Sequence, residues 1–311
     1  METTLPTYRA MAASCAVLLV ATITLGGCSK QKRTVSEIRG TYEKAEYGET
    51  VGLCRYAIRR GMDNADVYFY YGASLMHMGR DYEGFKQLSD AVSRDSLLVS
   101  KVSTMLADMG EKDVRAGKRS RGVLRLQRAL EFDGNIDLRG YKFAVADQYF
   151  ESTTYDEAAP LYRAGIAEFP DTSACQAALF NLSHCQAELG ENINAIETLQ
   201  ELLTRYPRGR FKSESKFRLA NLQYEAAEKQ YVLGNYEDVL TIVEELLEVS
   251  DSRGMRQKSR FLLGETCEAM NDFDAAYVQY RAIIAEDRGA SGRIVERARG
   301  KIKALQEAGL N

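Results

Sequence analysis

ADVYFYYGASLMHMGRDYEGFKQLSDAVSRDS, residues 65–96, sets the pattern for the rest of the chain. Tyr68, Gly72 and Leu75 recur at helical spacing, Gly79 interrupts, and Gly84, Leu88 and Ala91 resume the spacing in a second segment. The order is bulky, small, bulky, a glycine break, then small, bulky, small. Small residues let two helices approach closely, and the bulky ones fill the space between them. A glycine between two such segments ends the first helix. One helix pair cannot bury its apolar face alone, so the pattern asks for neighbours of the same kind.

The neighbours are present. Leu106, Gly110, Gly117, Gly122, Leu126 and Ala129 repeat the order. Ala146, Tyr149, Tyr155, Ala158, Tyr162 and Gly165 follow, closed by Pro170. Leu179, Ser183, Gly190, Ala195 and Leu199 come next, closed by Pro207, and Gly264, Phe273, Ala276 and Tyr280 mark a later unit. Ser36–Arg60 reads as a degenerate first unit, and Ser291–Ala308 as an amphipathic capping helix. The unit from Phe217 to Leu247 is longer: Gly234 and Tyr236 arrive about seven residues late, which leaves either an extended helix or a bulge over 225–233. Spacing between matched positions is otherwise mostly 34 to 38 residues.

In order and period the chain resembles a tetratricopeptide-repeat protein, whose unit is 34 residues. The resemblance implies an all-α, right-handed solenoid of helix pairs with a C-terminal capping helix, about six to seven repeats over 36–311. Within it, Tyr155–Gly190 (YDEAAPLYRAGIAEFPDTSACQAALFNLSHCQAELG) and 195–224 (AIETLQELLTRYPRGRFKSESKFRLANLQY) share a rhythm: an aromatic-proline pair, a small polar turn, then an alanine-rich helix. That rhythm resembles bacterial envelope repeat proteins, namely the BamD-type lipoproteins of outer-membrane barrel assembly and the periplasmic coordinators of the Tol–Pal system.

The N-terminus reads as a targeting segment and is set apart from the fold. Arg9 supplies a positive charge, Ala10–Leu25 is uncharged, and the run closes on Leu25-Gly26-Gly27-Cys28. It is short for a membrane span. The closing tetrad resembles a lipobox. The resemblance implies a signal peptide over 1–27, acylation (palmitate-type chains) on Cys28, and a lipidated linker over 28–35. Ser29 in place of aspartate after the cysteine resembles sorting to the periplasmic face of the outer membrane. Several acyl chains anchor a protein stably without a helix.

Composition points the same way. The 311 residues carry 27% charged side chains, a net charge of −3, four prolines and no tryptophan. Few prolines suit a mostly helical chain, and the charge balance does not suit nucleic acid. No G-x-S-x-G or H-E-x-x-H occurs, and Gly110 to Lys118 lacks P-loop spacing. His77 and His184 have no partner at ligand spacing. Cys175 and Cys185, about 15 Å apart along one helix, exceed the roughly 7 Å a disulfide spans. With Cys54 and Cys267 they read as small buried residues. No enzyme activity, cofactor or metal is expected.

Binding is expected instead, to envelope proteins through the concave groove and to the membrane through Cys28. Phenylalanines stand near the fifth place of several first helices: Phe69, Phe143, Phe180, Phe217 and Phe261. The resemblance turns that place toward the groove, where aromatics could grip a partner segment, although packing accounts for them equally well. Two basic clusters, Lys112–Arg128 with Arg115 and Lys118, and Arg205–Arg218, suit an acidic partner or lipid head groups. The functional expectation is an envelope scaffold in outer-membrane protein assembly. The alternatives are a Tol–Pal or cell-wall coordinator, or a module that binds a glycan or a client chain.

Overall fold

Helix pairs recur throughout the computed structural model, which describes residues 32–170, 172–286 and 292–310. Among these residues every regular element is helical. The segment 1–27 and Cys28 lie outside the described residues. Residues 32–35, at the end of the expected linker, are already helical: α1 runs over 32–43. Ile38 and Thr41 are buried on that helix, and the polar turn before them continues it.

The chain divides into two compact units, one ending at Leu138 and the other starting at Arg139. The first holds α1, α2 (Tyr47–Arg59), α3 (Ala65–His77), α4 (Asp81–Arg94), a short 3-10 turn (Ser96–Leu98), α5 (Val99–Arg115) and α6 (Arg119–Phe132). The second holds α7 (Lys142–Glu151), α8 (Tyr155–Glu168), α9 (Ser173–Glu188), α10 (Asn192–Arg205), α11 (Lys212–Leu233), α12 (Tyr236–Val249), α13 (Arg253–Ala269), α14 (Phe273–Glu286) and α15 (Arg293–Glu307). Each unit is a stack of antiparallel pairs, an α-solenoid arrangement, and α15 closes the second against α14 and α13.

The turn inside each pair is built the same way seven times. The first helix ends, and one residue takes a left-handed conformation: Ala45, Gly79, Gly117, Thr153, Gly190, Gly234 and Asn271, with φ from 58° to 79°. In the second pair the Gly79 N–H donates to the Met76 carbonyl, and the Arg80 N–H to that of Leu75. These bonds satisfy carbonyls that the helix end would otherwise leave open. Glycine reaches this conformation without cost, which explains four of the seven.

Close packing follows from the small residues. A Cβ on Gly72 would lie 2.9 Å from the Gly84 carbonyl oxygen, and one on Gly110 2.8 Å from that of Gly122. The first and second helices therefore touch backbone to backbone at these points. Leu88, Leu126, Tyr162, Leu199 and Tyr280, the bulky residues of the second helices, are fully or almost fully buried. Pro170 and Pro207 each stand two residues beyond the end of a second helix, α8 and α10. The late glycine of the long unit is also settled: α11 is one continuous 22-residue helix running to Leu233, with Gly234 at its left-handed end.

Candidate protein-binding surfaces

Three of the five phenylalanines are buried: Phe69, Phe180 and Phe261 are 3%, 8% and 4% exposed. Each ring is roofed by a cation from the next first helix. Lys101 Nζ stands 3.9 Å from the Phe69 ring centre, the Arg218 guanidinium 4.7 Å from Phe180, and that of Arg297 4.1 Å from Phe261. Such cation–π contacts tie one repeat to the next. Phe143 is half-buried, with its ring where a Cβ on Gly165 would fall. The expected open ladder is therefore largely a set of packing rings.

Phe217 differs for a reason of register. Phe69, Phe143, Phe180 and Phe261 each stand ten residues before the left-handed residue of their pair. In the long repeat that place belongs to Tyr224, and Phe217 sits two turns earlier on α11. It is 59% exposed.

The first basic cluster is split between structure and surface. Arg125 is 3% exposed. Its Nη1 donates to Asp113 at 2.7 Å, its Nε to Asp81 at 3.1 Å, and its Nη2 to the Met76 carbonyl at 2.9 Å. Arg121 Nε donates to Asp113 at 2.8 Å. The Arg121 hydrogen bond, aided by the charge of Arg125, holds the Asp113 carboxyl below its usual range. Arg115 is exposed and paired with Glu111, and Lys118 is exposed before α6.

Both histidines sit in aromatic boxes supplied by the preceding repeat. His77 stacks on Tyr47 at 4.3 Å, and Tyr42 Oη lies 3.3 Å from its Nε2. His184 meets Phe150 edge-on at 5.2 Å and Tyr155 at 5.6 Å. Arg218 Nη1 lies 2.6 Å from His184 Nδ1. A guanidinium can only donate, so Nδ1 accepts and the ring is neutral. Burial and then neighbouring cations lower both histidines from their ordinary range, with Arg125 and Lys112 acting on His77 and Arg218 on His184. Single-residue motif reading misses these boxes. The signal is an aromatic pair recurring 34 or 35 residues before each histidine.

Cys54, Cys175, Cys185 and Cys267 are free and buried. Burial pushes the Cys54 and Cys185 thiols up to about 12. Among the described residues no group of three His, Cys, Asp or Glu side chains could hold a metal ion.

Open surface remains on the first-helix face of each unit. In the first unit, cavities of about 530 and 620 Å3 share Lys101 and run past Arg39, Asp66 and Tyr70 to Met105 and Asp108. In the second unit a cavity of about 800 Å3 lies between α11, α13 and α15, with Tyr224, Tyr231, Lys258, Glu265, Arg293 and Arg297 on its walls. Mixed charge beside half-buried aromatics suits a polypeptide partner better than a small apolar ligand.

No protein-family model matches the chain, and no curated protein matches it. Solved structures do. The C-terminal part of a TPR repeat-containing protein from Cytophaga hutchinsonii is 12% identical, with 85% of this chain and 98% of that one covered and a TM-score of 0.38. A structure of Naa15/Naa10 bound to HypK-THB gives 13% identity, 89% and 39% coverage and a TM-score of 0.40. PilW, a type IV pilus biogenesis factor, gives 14%, 76% and 98%, and 0.32. These values are too low to carry any inference about function.

Proposed function

We propose that the chain is a lipid-anchored scaffold of the bacterial envelope. It binds other envelope proteins through the first-helix faces of its repeats and serves outer-membrane protein assembly. The observation that carries the binding role is the groove of the first unit, where Arg39, Asp66, Tyr70, Lys101, Met105 and Asp108 are presented side by side by three successive first helices. Stacked repeats hold such residues in fixed relative positions, so a partner meets a preorganised surface and loses less affinity to ordering. The lipobox at Leu25–Cys28 supports the anchor, and the 155–224 rhythm supports the assembly role.

In-cell crosslinking from a photoreactive residue at Thr104 tests this reading, because Thr104 is exposed and lines the groove. Capture of a barrel-assembly protein is the expected result. Capture of Tol–Pal or cell-wall synthesis proteins moves the role to a coordinator. No capture by folded, membrane-bound protein excludes this groove as the contact face.

A further inference from the structure

The helix starts of the second unit obey opposite rules. Second helices open on acids, as the helix dipole favours: Asp156 and Glu157 in α8, Glu237 and Asp238 in α12, Asp274 in α14. The first helices α11, α13 and α15 open on cations: Lys212, Arg253 and Arg293. Cations there oppose the dipole, so local helix stability does not explain them.

Some cations near these starts are already committed. Arg205 binds Glu201, Lys216 binds Asp251 at 2.8 Å, and Arg218 binds Glu214 at 3.1 Å. Arg208, Arg210, Lys212, Lys258 and Arg293 are exposed, and none forms an ion pair with an acid among the described residues. Lys258 and Arg293 stand on the wall of the 800 Å3 cavity. Phe217, the exposed aromatic, lies five residues into α11, and helical side chains lean toward the N-terminus, which brings its ring toward Lys212. The acids of the same three helices, Glu228, Glu265 and Glu268, lie toward their C-terminal halves.

We propose that this cationic margin of the second unit docks an acidic polypeptide segment that carries an apolar side chain. Carboxylates of the segment meet Arg208, Arg210 and Lys212 and continue toward Lys258 and Arg293. The apolar side chain covers the Phe217 ring. The inference rests on the scaffold reading and names the chemistry of one partner. Charge complementarity sets the direction of the segment, since the opposite ends of α11 and α13 would repel its acids. The exposed ring favours a polypeptide over a free anion, which would leave the ring uncovered.

The chain has no tryptophan, so Phe217→Trp in the whole chain places a single reporter at the site. Titration with an acetylated peptide of four Glu-Asp-Leu repeats is expected to shift the emission to the blue and to saturate. The same peptide with Gln and Asn in place of its acids is expected to leave the emission unchanged. Anisotropy of the labelled acidic peptide with the wild-type chain gives a second reading that does not alter Phe217. Reversing Arg208, Arg210 and Lys212 to Glu is expected to weaken that binding at least tenfold with helicity unchanged. High salt, which shortens the screening length to about 3 Å at 1 M, acts in the same direction.

Equal binding of the neutral peptide, or no loss on charge reversal, overturns the proposal. So does an emission shift with vesicles of anionic phospholipid and none with the peptide, because the margin would then be a membrane contact. Failure here with successful capture at Thr104 removes this site and leaves the scaffold. Failure at Thr104 with binding here moves the contact face to the second unit.

Discussion

Arg125 is where the residue scale matters most. Its guanidinium joins the end of α3, the start of α4 and the middle of α5 from its place on α6, and almost none of it reaches water. Charges so buried depend on their partners, and removing one partner leaves the other uncompensated. Asp113→Asn is therefore expected to cost about 3–5 kcal/mol, read as a lower denaturation midpoint by circular dichroism with the denaturant slope unchanged. Acid should act through the same group. The folded-state Asp113 carboxyl is held below its model value of 3.8, so its stabilisation is complete above that value and is lost as pH falls through the lower folded one. His184 follows the same sign from 6.5: the unfolded chain takes up the proton first, so stability declines as pH drops below that value. Arg218→Met should move the His184 titration upward in an NMR pH series, short of the ordinary value because burial remains. An unmoved titration would mean that Arg218 does not set the protonation of the ring.

At the scale of elements, the seven left-handed turns and the glycine contacts define each pair. Thr153 occupies a conformation that a β-branched residue adopts only under strain. Thr153→Gly should raise stability by roughly 0.5–1 kcal/mol, the strain relieved less the added flexibility of glycine. Gly110→Ala should lower it by about 1–3 kcal/mol, because the new methyl meets the Gly122 backbone, which cannot step aside as a side chain could. Thermal melts of the two variants should move in opposite directions.

These same elements mark what could be read from residues alone. Glycines at 79, 117, 190 and 234 announce their turns. Ala45, Thr153 and Asn271 do the same work without the signature, because tertiary packing holds them in the strained conformation. The phenylalanines were visible, but their roofs were not. Lys101, Arg218 and Arg297 stand 32 to 38 residues further on, and only three-dimensional stacking brings them over the rings. Phe217 was matched to the others by sequence, and counting back from Gly234 gives that place to Tyr224. Arg125 looked like one member of a surface cluster because its acids, Asp81 and Asp113, lie on other helices.

At the scale of the whole molecule, the properties of a scaffold follow from repetition. Each helix pair is stabilised by its neighbours, so surface residues can vary from repeat to repeat without loss of the fold. The first-helix faces use that freedom, with aromatics beside mixed charge in one unit and a cationic margin in the other. A groove of this kind, open and wet, gives modest affinity on its own, and tethering changes the arithmetic. A chain held at a membrane meets partners in the same membrane at a high effective concentration, which multiplies weak contacts without adding new ones. Stable tethering takes more than one acyl chain, and no helix among the described residues is long and apolar enough to cross a membrane. The tether proposed at Cys28 therefore decides whether the grooves work as a scaffold in the envelope. In bacteria fed an alkyne fatty acid, the chain should incorporate the label, and its mature mass should begin at an acylated residue 28. Cys28→Ser should lose the label, appear in the soluble fraction, and lose Thr104 crosslinks to membrane-bound partners while retaining the same helical melt. Label persisting in that variant would place the lipid elsewhere. Label lost with crosslinks intact would mean that the grooves hold their partners without the anchor.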